Sequence, residues 1–66
     1  MAYRIKDLRR RAGLTQAELA KKANISRVTL IMIERDERSE PRVATLNKIA
    51  EALGKRTEEL FLGPEV

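Results

Sequence analysis

The spacing of residues that start and stop helices is the feature that most constrains this chain, because it leaves room only for short helices joined by tight turns. Thr15 and Glu18 form a capping box, in which hydroxyl and carboxylate each satisfy a free backbone N–H at the start of a helix. Asn24 tolerates a positive φ and can turn the chain sharply. Ser26 is a good N-cap for the next helix, which we expect to run to about Arg35. The spacing therefore predicts two helices joined by a very short turn.

The rest of the chain carries the same signals and predicts three more helices. Helix 1 ends at Gly13, a natural left-handed stop, and its apolar stripe comprises Ile5, Leu8 and Ala12. Helix 4 opens near Pro41 and ends at Gly54, with the apolar stripe Val43, Leu46, Ile49, Ala50 and Leu53. Thr57 starts a short fifth helix, whose apolar residues are Leu60, Phe61 and Leu62. We therefore predict an all-α fold of five helices.

The length limits the chain to one domain, which we assign to residues 1–66. A chain of 66 residues buries a smaller share of its surface than a larger one, so its stability margin is expected to be thin. Hydrophobic residues make up 42% of the sequence, which is enough for one small core. With only three Gly and two Pro, this composition indicates a folded globule rather than a disordered tail.

The sequence contains neither Cys nor His, which narrows the chemistry available to it. Disulfides, thiolate nucleophiles, imidazole bases and the usual zinc or haem ligands are excluded. Scattered Ser, Thr, Lys and carboxylates without a Gly-rich phosphate loop do not assemble an activated site, so we predict no enzymatic activity, metal or cofactor. No small-molecule ligand is evident. No apolar run approaches the roughly 20 residues of a membrane span, and the first residues lack the apolar stretch of a signal peptide, so we expect a soluble cytoplasmic protein.

Positive charge is concentrated in the first two thirds of the sequence. The net charge is +4, and residues 1–42 hold 11 Lys and Arg against 6 Asp and Glu. Residues 43–66 hold 3 against 4. This distribution suits a polyanionic partner, although many soluble domains carry a similar charge for solubility alone.

The stretch from Gln16 to Ile33 is the most informative part of the chain. Ala20 falls where two helices meet at a steep angle, and a larger side chain there would push them apart. The residues expected to bury the shared seam are Leu19, Ile25, Leu30 and Ile33. Taken from the residues alone, such a helical hairpin serves either as a DNA-binding unit or as a packing unit.

Five segments of the sequence form a linked pattern: residues 13–20 (GLTQAELA), 25–27 (ISR), 33–35 (IER), 45–54 (TLNKIAEALG) and 58–61 (EELF). Together they resemble the Cro/C1-type (XRE) helix-turn-helix family of phage repressors and small bacterial regulators. The resemblance covers nearly the whole chain. It implies a compact five-helix, lambda-repressor-like domain whose recognition helix, residues 26–34, enters the major groove of double-stranded DNA. It further implies a transcriptional regulator, with repression the expected effect.

The same resemblance assigns roles to residues of helices 2 and 3. It implies that Gln16 lies beside the phosphates and that helix 3 turns a set of residues toward base edges: Ser26, Arg27, Val28, Thr29 and Met32. Of these we assign Ser26 to a phosphate and the other four to bases. Arg27 is the first choice for direct readout, because its planar fork matches guanine O6 and N7; the alternative is a phosphate contact.

Arginines outside helix 3 are candidates for the phosphates on either side of the groove. We assign Arg10, Arg38 and Arg42 to phosphate contacts, while the alternative for each is a solvated charge that stabilises a helix end. The resemblance instead pairs Arg9 with Glu34 in a partly buried ion pair. Asp36 stands where the family has Gly, and its negative charge repels phosphate.

Helix 3 carries an unexpected second apolar face. Helical geometry puts Val28, Ile31 and Met32 opposite Leu30 and Ile33. These groups either press on thymine methyl groups, which predicts A·T pairs in the binding site, or are covered by a protein partner. The second reading corresponds to an antitoxin-like interaction module.

One domain of this size offers few base contacts, so we expect a homodimer that reads two half-sites about 34 Å apart. Family members pair through their last helix, and the resemblance therefore implies Phe61 and Leu62 as the interface. The alternative for Phe61 is a place in the core. The sequence is compatible both with a complete regulator and with the DNA-binding part of a longer repressor.

Overall fold

The computed structural model describes residues 3–35 and 40–61, and in these ranges the chain forms four α-helices and one short 3-10 helix. The α-helices are α1 (Ile5–Arg11), α2 (Gln16–Ala23), α3 (Arg27–Arg35) and α4 (Val43–Leu53). The predicted fifth helix is a single 3-10 turn, Thr57–Leu60. Every regular element in these two ranges is helical, which confirms the all-α prediction. None of the helices described is long and apolar enough to cross a membrane.

The predicted helix boundaries around α2 are confirmed. Thr15 Oγ1 accepts the Glu18 N–H at 3.1 Å, and Glu18 Oε1 accepts the Thr15 N–H at 2.8 Å. The second of these bonds holds the pKa of the Glu18 carboxyl below its usual value. Asn24 ends α2 with a φ of 58°, and Ser26 Oγ accepts the Val28 N–H at 3.1 Å at the start of α3. Only the left-handed Asn24 and two further residues separate the two helices.

The start of α4 differs from the sequence prediction. Pro41 precedes the helix, because Arg42 is the N-cap residue and its backbone is extended, with a ψ of 150°. Val43, predicted to lie in the apolar stripe, is 69% exposed. It occupies the first helical position, before the helix reaches the core, and burial begins one turn later at Leu46.

Small residues explain the other differences in burial. Ala12, predicted to lie in the apolar stripe of helix 1, is exposed, and so is Ala17, which we expected on the small apolar face of helix 2 with Leu19, Ala20 and Ala23. Ala12 lies beyond the last residue of α1, and Ala17 lies in the first turn of α2. Ala52 of α4, which the stripe omitted, is buried. A methyl group contributes little to an apolar pattern, so alanines are assigned to a face less securely than large side chains.

The core takes at least one fully buried large side chain from every element. Ile5, Leu19, Leu30, Ile49 and Leu60 are each less than 2% exposed. Buried alanines lie between them and let the helices approach closely: Ala20, Ala23, Ala50 and Ala52. Because each element contributes one such residue, all the helices depend on one shared core.

The two ends of the described chain are tied to each other. The Arg4 N–H donates to the Leu60 carbonyl at 2.7 Å, and the rings of Tyr3 and Phe61 lie 5.3 Å apart. Phe61 is half-buried against the core. Phe61 therefore makes contacts within the chain, as expected from the alternative in which it belongs to the core.

Candidate nucleic-acid interface

Helix α3 lies on the surface with one face in the core and one face free. Leu30 is fully buried and Ile33 is 4% exposed, so the predicted inner stripe is confirmed. On the other side, Val28 is 64% exposed and Met32 is 57% exposed. This arrangement holds the helix firmly while leaving its outer surface open to a large partner.

A partly buried polar network fixes α3 against α1 and the turn after it. Arg9 Nε donates to Glu34 Oε2 at 2.8 Å, and Arg9 Nη2 donates to Glu34 Oε1 at 3.1 Å. Arg9 Nη1 donates to the Leu14 carbonyl at 2.8 Å. The Arg9 and Glu34 side chains are only 9% and 3% exposed. A fork-to-carboxylate pair of this kind fixes direction as well as distance, so the ion pair expected from the resemblance also orients α3.

Gln16 joins the same network. Its Nε2 donates to Glu34 Oε1 at 3.1 Å, which holds the first residue of α2 beside α3. The amide keeps a second N–H and its carbonyl oxygen for other contacts. Gln16 is thus positioned at the edge of the α3 surface, where a phosphate contact was expected.

The direction of each α3 side chain follows from the helical step of roughly 100° per residue. Val28 and Arg35 point most directly away from the core. Arg27 lies toward the Gln16 side, whereas Met32 lies toward α4, where it lines a hollow with Thr29 and Arg42. The outer surface of α3 therefore has Arg27 on the Gln16 side and Val28 at its centre. Its edge next to α4 carries both apolar and polar side chains.

Two candidates for base contact are less open than the sequence suggested. Thr29 is half-buried on the α4 side of the helix. Ile31, expected on the outer apolar face, is also half-buried and lines a hollow with Lys6, Gln16 and Arg35. The prediction for Ile31 is therefore wrong in part, because α1 and α2 cover the flank of α3 on which it lies.

The residues assigned to phosphates lie on both sides of α3. Ser26 is exposed just before the first residue of α3. Arg10 is exposed on α1 and lines a hollow with Ile33 and Glu34 of α3. Arg42 is exposed at the N-terminal end of α4. Arg38 and Asp36 lie outside the described residues, as does Leu62.

Two cations that sequence reasoning missed belong to the same surface. Lys6 and Arg35 line one hollow together with Arg10, on the side of α3 that faces α1. Arg35 follows Val28 by seven residues, or two helical turns, and this spacing is the signal that could have identified it. Lys6 gave no comparable signal, because only the tertiary fold places it in the same hollow as Glu34 and Arg35 of α3.

Comparison with known proteins gives a consistent result. Residues 5–60 match a family model described as helix-turn-helix. The chain is 53% identical over 54 residues to the immunity repressor protein of Bacillus phage phi105, covering 82% of this chain and 37% of the repressor. It is 37% identical over 62 residues to an uncharacterized HTH-type transcriptional regulator of Archaeoglobus fulgidus, covering 94% of this chain and 87% of that protein. The chain thus spans about a third of the phage repressor but most of the archaeal regulator.

Solved structures of SinR, a master regulator of biofilm formation, are similar in fold. Its N-terminal DNA-binding domain from Bacillus subtilis superimposes with a TM-score of 0.80 at 30% identity, covering 96% of this chain and 91% of that one. SinR in complex with DNA gives a TM-score of 0.79 at 33% identity, covering 83% of this chain and 87% of that one.

Proposed function

The chain belongs to the helix-turn-helix family, and on this premise we propose that it regulates transcription by binding specific sequences of double-stranded DNA with α3 in the major groove. The observation that carries the proposal is the free outer face of α3, 64% exposed at Val28, on a helix whose inner face and Glu34 are fixed to the core. A rigid, protruding helix of this kind fits the major groove, which admits one α-helix.

Specific recognition is assigned to the outer residues of α3. Arg27 is exposed near the N-terminal end of the helix, where its guanidinium can donate both hydrogen bonds to guanine O6 and N7. Val28 and Met32 supply apolar contacts to base edges, and Thr29 supplies a hydroxyl at the α4 edge. Arg27 is thus the residue on which preference for a G·C pair depends.

Affinity is assigned to the surrounding cations and polar groups. The phosphate contacts are Gln16, Ser26, Arg10, Arg38 and Arg42, and the structure adds Lys6 and Arg35 to them as candidates. Each phosphate contact releases counterions, so neutralising one residue lowers the slope of log affinity against log salt by about 0.9.

Dimerisation, repression and location complete the proposal. We assign the protein to the cytoplasm, where it represses transcription as a homodimer on a two-fold operator. The dimer contact uses Leu62 and the part of Phe61 that Tyr3 leaves open. Sedimentation on and off the operator tests this point, and a strict monomer in both states contradicts it.

The proposed function is tested by selecting binding sites from random duplex DNA at a stated low salt concentration. The wild-type chain is expected to enrich a defined sequence, and Arg27→Ala to relax preference at one base pair while keeping the helical circular dichroism spectrum. A fully folded chain that retains no duplex at low salt contradicts the proposal.

A further inference from the structure

The outer face of α3 combines two apolar side chains with cations at both ends. Val28 and Met32 are 64% and 57% exposed. They lie four residues apart, which places them about 6 Å apart along the helix axis. Arg27 and Arg35 are exposed at the first and last positions of the same helix. The apolar pair therefore lies inside a positively charged surface.

The size of the apolar patch decides between a protein and a nucleic acid as its occupant. A stable protein interface covers about 800 Å² on each partner and has an apolar, uncharged centre. Half-buried Ile31 does not extend the patch, so two side chains next to exposed cations supply only a small part of that area. Asp7 lies beside Lys6 and Arg10 on one flank, and Glu40 lies beside Arg42 on the other. With Arg27 and Arg35 on α3, the exposed cations still outnumber these carboxylates, so the surface complements a polyanion instead.

We infer that Val28 and Met32 recognise the 5-methyl groups of thymine in the binding site, an inference that rests on the proposed DNA binding. The thymine methyl is the apolar group among the base edges exposed in the major groove. Side chains four residues apart on a helix have Cβ atoms about 5–6 Å apart, a separation that spans between one and two base-pair steps of about 3.4 Å. Both can therefore contact methyl groups within one binding site.

The two side chains differ in how they make this contact. Val28 is β-branched and is held in one preferred χ1 rotamer within a helix, so it presents a fixed apolar surface at the outermost position of α3. Met32 is unbranched and adapts its shape at the edge next to α4. Val28 is accordingly the main determinant, and Met32 is the secondary one.

The test removes one methyl group at a time from the DNA. In the sequence selected by the wild-type chain, each thymine is replaced by deoxyuridine, which keeps base pairing and lacks only the methyl group. Burying one such group contributes about fourfold to affinity, so deoxyuridine at one or two positions is expected to weaken binding by about that factor. Val28→Ala is expected to weaken binding to the thymine duplex and to abolish the effect of deoxyuridine at the thymine that Val28 contacts. Met32→Ala is expected to abolish the effect of deoxyuridine at the thymine that Met32 contacts.

Val43→Ala is the matched control, because Val43 is a comparably exposed valine, at 69%, that lies outside α3. It is expected to keep the full response to deoxyuridine. Duplex binding that is unaffected by deoxyuridine at every position overturns the inference and leaves the proposed function standing. A response that persists in both Val28→Ala and Met32→Ala also overturns it, since other groups then read the methyl. Absence of any duplex binding removes the proposed function itself.

Discussion

The inner and outer faces of α3 both carry large apolar side chains, but only the inner ones are buried in the core. Leu30 and Ile33 are at most 4% exposed and belong to the same core as the buried side chains of α2 and α4. Val28 and Met32, on the same nine-residue helix, remain more than half exposed. The inner pair is stabilising because folding removes it from water, whereas the outer pair gains nothing from folding.

Apolar character alone therefore does not identify a core residue in a small domain. The outer pair keeps its surface for the thymine contacts proposed above, and exposed cations of the same helix lie at both ends of it. The inner face and the Arg9–Glu34 pair carry stability and orientation, so changes on the two faces are expected to have separate consequences.

The largest effect is expected from truncating the inner face. Leu30→Ala creates a cavity in a fully buried site and is expected to lower the free energy of unfolding by about 2 to 5 kcal/mol. In a domain with a thin stability margin, this change leaves a large fraction unfolded. Urea unfolding followed by circular dichroism measures it, and a loss under about 1 kcal/mol would show that the inner face is not the main anchor.

The next largest effect is expected from breaking the polar network. Glu34→Ala leaves the Arg9 guanidinium partly buried without its carboxylate, which is expected to cost about 3 kcal/mol. The double variant Arg9→Met with Glu34→Leu is expected to recover much of this loss, because no charge is then left unpaired. If the double variant is as unstable as the single one, the loss comes from the hydrogen bonds of the network, which include those to Gln16 and the Leu14 carbonyl, and not from an unpaired charge.

A smaller effect, confined to DNA binding, is expected from the outer cation. Arg27→Ala is expected to weaken binding to the selected sequence by about 1 to 3 kcal/mol and to leave the urea midpoint unchanged, because Arg27 is exposed. Binding assays on the selected sequence and on single-base variants measure it. A uniform loss across all sequences would instead assign Arg27 to a phosphate.

The smallest effect on stability is expected from the outer apolar pair. Val28→Ala removes an exposed side chain, so the free energy of unfolding is expected to change by less than about 0.5 kcal/mol. Alanine's higher helix propensity offsets part of any loss. A decrease in the free energy of unfolding as large as that of Leu30→Ala would show that both faces of α3 contribute to stability, which contradicts the distinction between them.

Local sequence signals were sufficient to predict the helix boundaries around α2 and the buried face of α3, whereas the role of α3 as a recognition helix came from the family resemblance. The Thr15–Glu18 capping box, the left-handed Asn24 and the buried pair Leu30 and Ile33 were all predicted and are all confirmed. These features depend on side chains acting on their own backbone or on one strongly periodic helix, so they can be predicted without knowledge of the neighbouring elements. The Arg9–Glu34 pair is also confirmed, but only the family resemblance suggested it.

The tertiary structure was needed to establish which outer residues of α3 remain exposed. It removed Ile31 from the exposed face, added Lys6 and Arg35 to the charged surface, and placed Phe61 against Tyr3. Exposure on the flank of a helix depends on which neighbouring helix covers that flank. That covering is set by contacts between residues far apart in the chain, which periodicity within one helix cannot specify.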